Sequence, residues 1–193
     1  AGTVVLAVPL FVALRVLDAP PAALQQAATA PHAPWLVANL QLDRPLLDRP
    51  GVPQAWDSVV YDSRALGYVD AMHQSLRPYA GPTVLTTYHA LPATERGALL
   101  NEPWARWARR VVDEFTPVHP DLPERLQRID LMRYGHAMAV PVPGLQATAA
   151  ARAALRGGRG RLRFAHADLA GYSIFEEAFT AGCEASAHPC RCA

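Results

Sequence analysis

Apolar and polar positions along the chain fall into three regimes. Thr3 to Val8 is an unbroken apolar run rich in Val. Such a run suits a strand buried on both faces, as in a parallel sheet. Pro9 ends it, and Leu10 to Leu17 predicts one or two helical turns. Ala22 to Thr29 is a short stretch of strong helix formers set between prolines.

From Trp35 the pattern becomes one of strands that follow each other without helices between. Trp35 to Leu42, Asp57 to Ser63, Ala65 to Met72 and Thr83 to Ala90 each read as a strand. The second and third form a hairpin, and strands in this order predict an antiparallel or mixed sheet. Thr94 to Phe115 is the longest helical stretch, and Pro103 splits it in two. Leu99, Leu100, Trp104, Trp107, Val111, Val112 and Phe115 fall at helical spacing and predict one apolar face. A helix over Leu122 to Arg128 and a strand over Ile129 to Met138 follow.

The third regime returns to alternating elements. Leu145 to Leu155 is an Ala-rich helix, Arg163 to Ala167 a buried strand, and Ser173 to Ala187 a last helix. Gly157 to Gly160 is a glycine loop, but it precedes a strand instead of joining strand to helix, so it does not fit a phosphate loop. Residues 1–30 and 145–193 therefore predict pieces of one α/β domain. Residues 33–143 predict a sheet-plus-helix insertion.

The 193 residues are 51% hydrophobic and 18% charged, a globular composition. A net charge of +1, scattered along the chain, argues against a nucleic-acid footprint. All 18 basic residues are Arg, so lysine chemistry cannot come from this chain. The three cysteines, Cys183, Cys190 and Cys192, crowd the end near His188. Their spacing is not that of a zinc site, and no metal is expected. Their scarcity elsewhere points to a reducing compartment, hence a cytoplasmic or membrane-peripheral protein. Cys183, inside the last helix, is expected to be a packed thiol. The opening run lacks the basic flank of a signal peptide and is too short to span a bilayer. It reads as the interior of a longer protein.

The candidate chemistry gathers near the end. Asp168 follows a buried strand, where its carboxylate can accept hydrogen bonds from sugar hydroxyls or cap a turn. Spacing does not choose between these. Ser173 fits an N-cap, with Glu176 completing a capping box. The helix it opens directs its first amides at any acceptor placed before it. Elsewhere, Tyr88, His89, Tyr134 and His136 are candidates for a substrate site, and His136 could act as a base near neutral pH. The more ordinary role of a histidine on a strand is a hydrogen-bonded, half-buried one. Asp57, Tyr61, Tyr68, His73 and Gln74 could line the same sheet face.

Arg161 to Ala178, with Gly182 one helical period beyond, resembles the C-terminal flavin-binding segment of the FAD-dependent amine oxidase, desaturase and protoporphyrinogen oxidase superfamily. Thr3 to Leu17 with Val8-Pro9, Trp35 to His89, and Arg133 to Met138 followed by Pro141 and Gly144 resemble further segments of that family. The resemblance implies a fragment of a glutathione-reductase-like Rossmann domain interrupted by a mixed-sheet α+β substrate domain. It implies FAD as cofactor, a small-molecule substrate, and a missing N-terminal half of the same protein carrying the G-x-G-x-x-G motif. It places Val8, Pro9, Ala167, Asp168, Ser173, Ile174 and Phe175 at the cofactor. Tyr134 and His136 then lie near the substrate. The family's amine oxidases usually carry a lysine in the substrate domain, and this chain has none, which favours desaturase-like or protoporphyrinogen-oxidase-like members. The competing reading is a non-catalytic binding module, a relative that no longer holds FAD.

Overall fold

The computed structural model describes residues 2–52, 55–76, 81–156, 158 and 160–187. The chain divides into two compact units, Ala1–His32 with Met138–Ala193, and Ala33–Ala137. Each is built around its own apolar cluster.

In the first unit, β1 (Val4–Leu6) pairs in parallel with β7 (Leu162–Phe164). Around them pack α1 (Leu10–Val16), α2 (Ala22–Ala27), α6 (Ala149–Arg156) and α7 (Phe175–Ala187). Prolines set the starts: Pro9 and Pro21 occupy the N-cap positions of α1 and α2. Leu10, Ala13, Leu24, Leu155, Phe164 and Ala181 fill the core. Fully burying one such leucine or phenylalanine is worth about 1.5–3 kcal/mol. The expected strand over Thr3 to Val8 is shorter than its apolar run. Val4 and Val5 remain 46% and 47% exposed, because among the described residues β7 alone pairs with β1.

The second unit is a five-stranded sheet in the order β3-β4-β5-β2-β6. Its strands are β2 (His32–Leu42), β3 (Asp57–Ser58), β4 (Gly67–Asp70), β5 (Thr83–Ala90) and β6 (Leu126–Ala139). β2 and β5, β4 and β5, and β3 and β4 are antiparallel. Gln41 bonds Asp130 at one end of β2 and Pro31 bonds Val140 at the other, so β6 also runs against β2. The expected hairpin forms, but its strands are short. Asp62 turns the chain at a φ of 58°, and β4 starts only at Gly67. Gly67 is required there: its φ is 129°, and a Cβ would lie 2.0 Å from the Ser58 carbonyl oxygen.

Strict alternation gives this sheet two faces. Leu36, Ala38, Leu40 and Leu42 of β2 are buried and pack with Leu85 of β5. Over them lies α4 (Trp104–Phe115), which presents Trp107, Val111 and Phe115, one residue per turn. Pro103 separates α4 from α3 (Arg96–Asn101) and holds Glu102 extended, as it does for any preceding residue. The break resets the helical phase. Leu99 stays in the core, whereas Leu100 and Trp104, expected on the same apolar face, are 46% and 48% exposed. The helix expected over Leu122 to Arg128 is one turn only, α5 (Leu122–Arg125), because β6 begins at Leu126.

One buried cluster ties loop, strand and helix together on the covered face. Glu114 of α4 accepts from the Ser63 hydroxyl at 2.6 Å, the Ala65 amide at 2.8 Å and His89 Nε2 at 2.9 Å. Burial lowers the His89 pKa, and the field of Arg110 and Arg64 adds to this against the opposing pull of Glu114. His119, buried beside Tyr68, is lowered by burial and by Arg49.

Two expectations follow. Gly67→Ala should destabilise the protein by about 2–4 kcal/mol, read as a shift in the urea midpoint, since both the φ and the Ser58 carbonyl oppose a side chain. Both histidines also bind protons more readily unfolded than folded. Their contribution is therefore present above about pH 6.5 and is lost as pH falls below it. Thermal melts should drop between about pH 7.5 and 5.5, and the drop should shrink in a His89→Gln, His119→Gln double variant; an unchanged slope would refute the assignment.

Candidate functional site

The turn after β7 gathers the first unit's polar groups. Ala167–Leu169 is a single 3-10 turn, with Asp168 at its centre and 1% exposed. Its carboxylate accepts the Leu10 amide at 2.9 Å. His32 Nε2 lies 3.1 Å and 3.2 Å from the two carboxylate oxygens, while His32 Nδ1 faces the Ala30 carbonyl at 3.1 Å. His166 Nδ1 is 3.2 Å from both the Asp168 amide and Oδ1. It accepts from the amide when neutral at that nitrogen and donates to the carboxylate when it carries the proton there. The edge of Phe11 meets the His32 ring at 4.9 Å.

Burial alone would raise the Asp168 pKa. Hydrogen bonds from His166, His32 and the Leu10 amide outweigh it and hold the carboxyl well below the usual carboxylate range. The carboxylate thus joins the start of α1, the approach to β2 and the end of β7. Of the two roles open from the sequence, the geometry is that of an internal tie. The oxygens are committed to protein donors, so the contact with a ribityl hydroxyl that the resemblance implies has no exposed oxygen in this arrangement.

Ser173 departs from its expected capping role. Its hydroxyl accepts the Ala139 amide at 2.8 Å, and α7 starts two residues later at Phe175. The Ala178 amide bonds the Ile174 carbonyl, which makes Ile174 the N-cap and leaves the amides of Phe175, Glu176 and Glu177 without a helical acceptor. Gly171, at a φ of 90°, turns the chain into this segment. Tyr172 donates to Glu177 at 3.2 Å, and Arg156 bridges Glu177 and Glu184. Phe175 and Phe179 stack at 5.9 Å and remain 76% and 61% exposed. Val8 packs against the core, Pro9 caps α1, and Ala167 is buried. Cys183 is exposed, not packed as expected; Cys190, Cys192 and His188 lie outside the described residues.

In the second unit the sheet's uncovered face carries the other candidates. Tyr88 pairs with Val37, and Thr86 with Asn39, whose side chains share a hydrogen bond at 2.8 Å. From Asp130 onward the even-numbered residues of β6 lie on this side, where Gln41 reaches Asp130 from β2. Tyr134 and His136, both exposed, therefore share the face with Tyr88. Val37, the β2 partner of Tyr88, lies on this face too. Burial and the nearby charge of Asp57 raise the Tyr88 pKa, so it is a neutral phenol. His89 points the opposite way, to Glu114. Tyr68 is also on the covered face, against Phe115 and His119, and Tyr61 is 92% exposed. His73 bonds the Asp70 carbonyl and lies against Trp56. The group expected on one face is therefore divided. Among the described residues, no three His, Cys, Asp or Glu side chains are placed to hold a metal ion, and no helix is long and apolar enough to cross a membrane.

The tie at Asp168 has a measurable consequence. Asp168→Ala removes the acceptor of the Leu10 amide and the carboxylate that His32 Nε2 meets, and should cost about 3–5 kcal/mol. Asp168→Asn, which keeps one acceptor, should cost less. Because the folded pKa is depressed, the wild-type contribution is present above about pH 4 and is lost as pH falls further. Denaturation of the two variants at neutral pH would test this; equal stability to wild type would remove the tie from the account.

No protein-family model and no curated protein sequence matches the chain. Solved structures do. A cyclohexylamine oxidase from Brevibacterium oxydans IH-35A superposes with a TM-score of 0.70 at 15% identity, over 95% of this chain and 41% of that one. Putrescine oxidase bound to putrescine gives 0.66 at 14% identity, over 93% and 40%. A provisional protoporphyrinogen oxidase from Exiguobacterium sp. 255-15 gives 0.59 at 14% identity, over 96% and 41%. The chain spans about two fifths of the length of these proteins, and what it shares with them at such identities is the fold.

Proposed function

We propose that the chain is part of an FAD-dependent oxidoreductase that oxidises a C–H or C–N bond of an apolar or amine-bearing small molecule. The observation that carries this is the superposition of nearly the whole chain on one contiguous fold shared by two amine oxidases. Flavin binding falls to the first unit and substrate binding to the second.

The residues of the first unit suit one part of a flavin. The unpaired amides at the start of α7, from Phe175 onward, offer donors to the acceptor edge of the ring system, and Ser173 and Ile174 set their approach. Val8, Pro9 and Ala167 shape the neighbouring backbone. Asp168 serves as a positioning residue, since its oxygens hold Leu10 and His32. No glycine motif for the pyrophosphate is present in this sequence. That part of the cofactor falls to the N-terminal half of the same protein.

When bound, the flavin supplies hydride acceptance, which no side chain can. This chain's share is the substrate wall. Tyr88, Val37 and Tyr134 form an aromatic–apolar strip on the uncovered sheet face. His136, on the same strand as Tyr134, takes the proton of a substrate ammonium, so that the amine reacts in its neutral form. With no lysine in the chain, that proton has no lysine to go to here. The choice between amine and carbocyclic substrates rests on this strip.

The test is to produce the chain joined to the upstream sequence of its gene and record a visible spectrum. Oxidised flavin bands at about 370 and 450 nm are expected. With amine substrates, Tyr134→Ala and His136→Gln should lower kcat/KM by about 10²-fold, the His136 variant losing the acid limb of the pH profile. A folded, colourless protein that refuses added FAD would overturn the proposal and favour a non-catalytic binding module.

A further inference from the structure

The uncovered face of the second unit carries a polar pair that the proposed oxidation does not use. Asn39 of β2 stands directly opposite Thr86 of β5, one row along from Val37 and Tyr88. The row continues through Val69 of β4 to Asp57 of β3. Asn39, Thr86, Val37, Tyr88 and Val69 are all half-buried. Val37, Tyr88 and Val69 therefore flank the pair with largely apolar surface.

The hydrogen bond inside the pair decides what is left over. The Thr86 hydroxyl donates to Asn39 Oδ1 at 2.8 Å. That commits the acceptor half of the carboxamide and fixes its orientation. The amide nitrogen carries two donors, and among the described residues no acceptor meets them. Tying the two strands together needs only the bond between the side chains. The amide donors are surplus to it, and beside apolar side chains an unmatched donor is costly. Gln41, the next residue of β2 on this face, is drawn toward β6 instead, where its amide donates to Asp130 at 2.9 Å. Burial and then the charge of Asp57 raise the Tyr88 pKa, so the field of Asp57 reaches this part of the face. That field disfavours an anion. The acceptor that suits Asn39 is an uncharged one.

We propose that Asn39 selects the substrate, taking small molecules with a neutral carbonyl set about 7 Å from a hydrocarbon body, the spacing of two residues along a strand. The body lies against Val37 and Tyr88, and the Asn39 amide donates to the carbonyl oxygen of a ketone, ester or amide. Thr86 is a positioning residue that holds the carboxamide with its donors free. The selection rests on the uncovered face being the substrate wall, and it concerns the end of the substrate that is not oxidised.

The test is an NMR titration of the chain joined to the upstream sequence of its gene, with asparagine isotope-labelled and benzylacetone as the ligand. This chain contributes two asparagines, Asn39 and Asn101, and their side-chain signals are assigned by their loss in Asn39→Leu and Asn101→Ser. Asn101, whose amide bonds the Gly97 carbonyl at 2.8 Å, is the internal control. The expected result is a saturable shift of the Asn39 amide signals with a Kd of about 1 mM, while Asn101 stays in place. Ethylbenzene, which keeps the ring and lacks the acceptor, should leave the Asn39 amide signals unmoved. Hydrocinnamate, the anionic counterpart, should bind about fivefold or more weakly than the ketone. Thr86→Val should weaken the ketone by about fivefold, and Thr86→Ser should restore it. Observed on the ligand, Asn39→Leu should weaken the ketone by about the same factor and leave ethylbenzene unchanged, a split that a merely structural role would not produce. An unmoved Asn39, equal affinity for hydrocinnamate, or ketone affinity unchanged in Asn39→Leu would each overturn the proposal. Flavin bands together with an unmoved Asn39 would sink it and leave the oxidoreductase reading standing. A colourless protein whose Asn39 signals still respond to the ketone would do the reverse.

Discussion

The first unit depends on a single buried carboxylate. Its residues come from two stretches separated by more than a hundred positions, so closing it costs considerable chain entropy. The strands that join the two stretches are three residues each and contribute little by themselves. Asp168 bonds Leu10, 158 residues away, and His32, 136 residues away. A buried charge is costly unless paired, and here the Leu10 amide, His32 and His166 surround it. The same desolvation that penalises the charge makes any loss of those donors expensive, which favours this one arrangement over looser ones.

Much of the architecture was legible because its causes are local. Prolines at 9, 21 and 103 mark element ends by fixing φ and restricting the residue before them. Strand-forming residues along Trp35 to Leu42 and the β-branched run of Thr83 to Ala90 marked the central strands, and helical spacing marked α4. The failures have tertiary causes. β6 starts at Leu126 and takes over the end of the helix expected over Leu122 to Arg128, since pairing beside β2 wins over local preference. Ser173 looked like a cap, yet the Ala139 amide, 34 residues away, claims its hydroxyl. Asp168 was found, but not its partners. His32 sits among small residues and prolines with no periodic signal, and Glu114 looked like any charge on the solvent side of a helix. Long-range polar pairing leaves no trace in spacing.

The sheet of the second unit separates stability from chemistry by parity. Adjacent residues such as Tyr88 and His89 face opposite sides, so they cannot serve one site. The covered side uses polar groups as ties: Glu114 gathers Ser63, Ala65 and His89, and Arg133 reaches the Leu99 and Glu102 carbonyls at the end of α3. Such carbonyls are left over at any helix C-terminus, and a cation is the natural partner for them. The uncovered side has polar pairs across strands, Asn39 with Thr86 and Gln41 with Asp130, and keeps its tyrosines half free. Substitution on this side is less constrained by packing than on the covered side. That is how a fold can persist at 12–15% identity.

The start of α7 poses a sharper question of electrostatics. Glu176 and Glu177 lie in its first turn, where acids complement the positive end of the helix dipole. That stabilises the helix, but it also cancels much of the field that an electron-rich ligand would meet there. Glu177 is drawn sideways, toward Arg156 and the Tyr172 hydroxyl, and Arg156 returns positive charge to the same region through its bridge to Glu184. What the helix end offers is therefore directed hydrogen bonding from its free amides more than net positive potential. A ring with carbonyl and imine acceptors can use such donors in any charge state, whereas a bare anion would gain little. For the flavin proposed above, the features at α7 thus suit a hydrogen-bonding ring edge better than a phosphate.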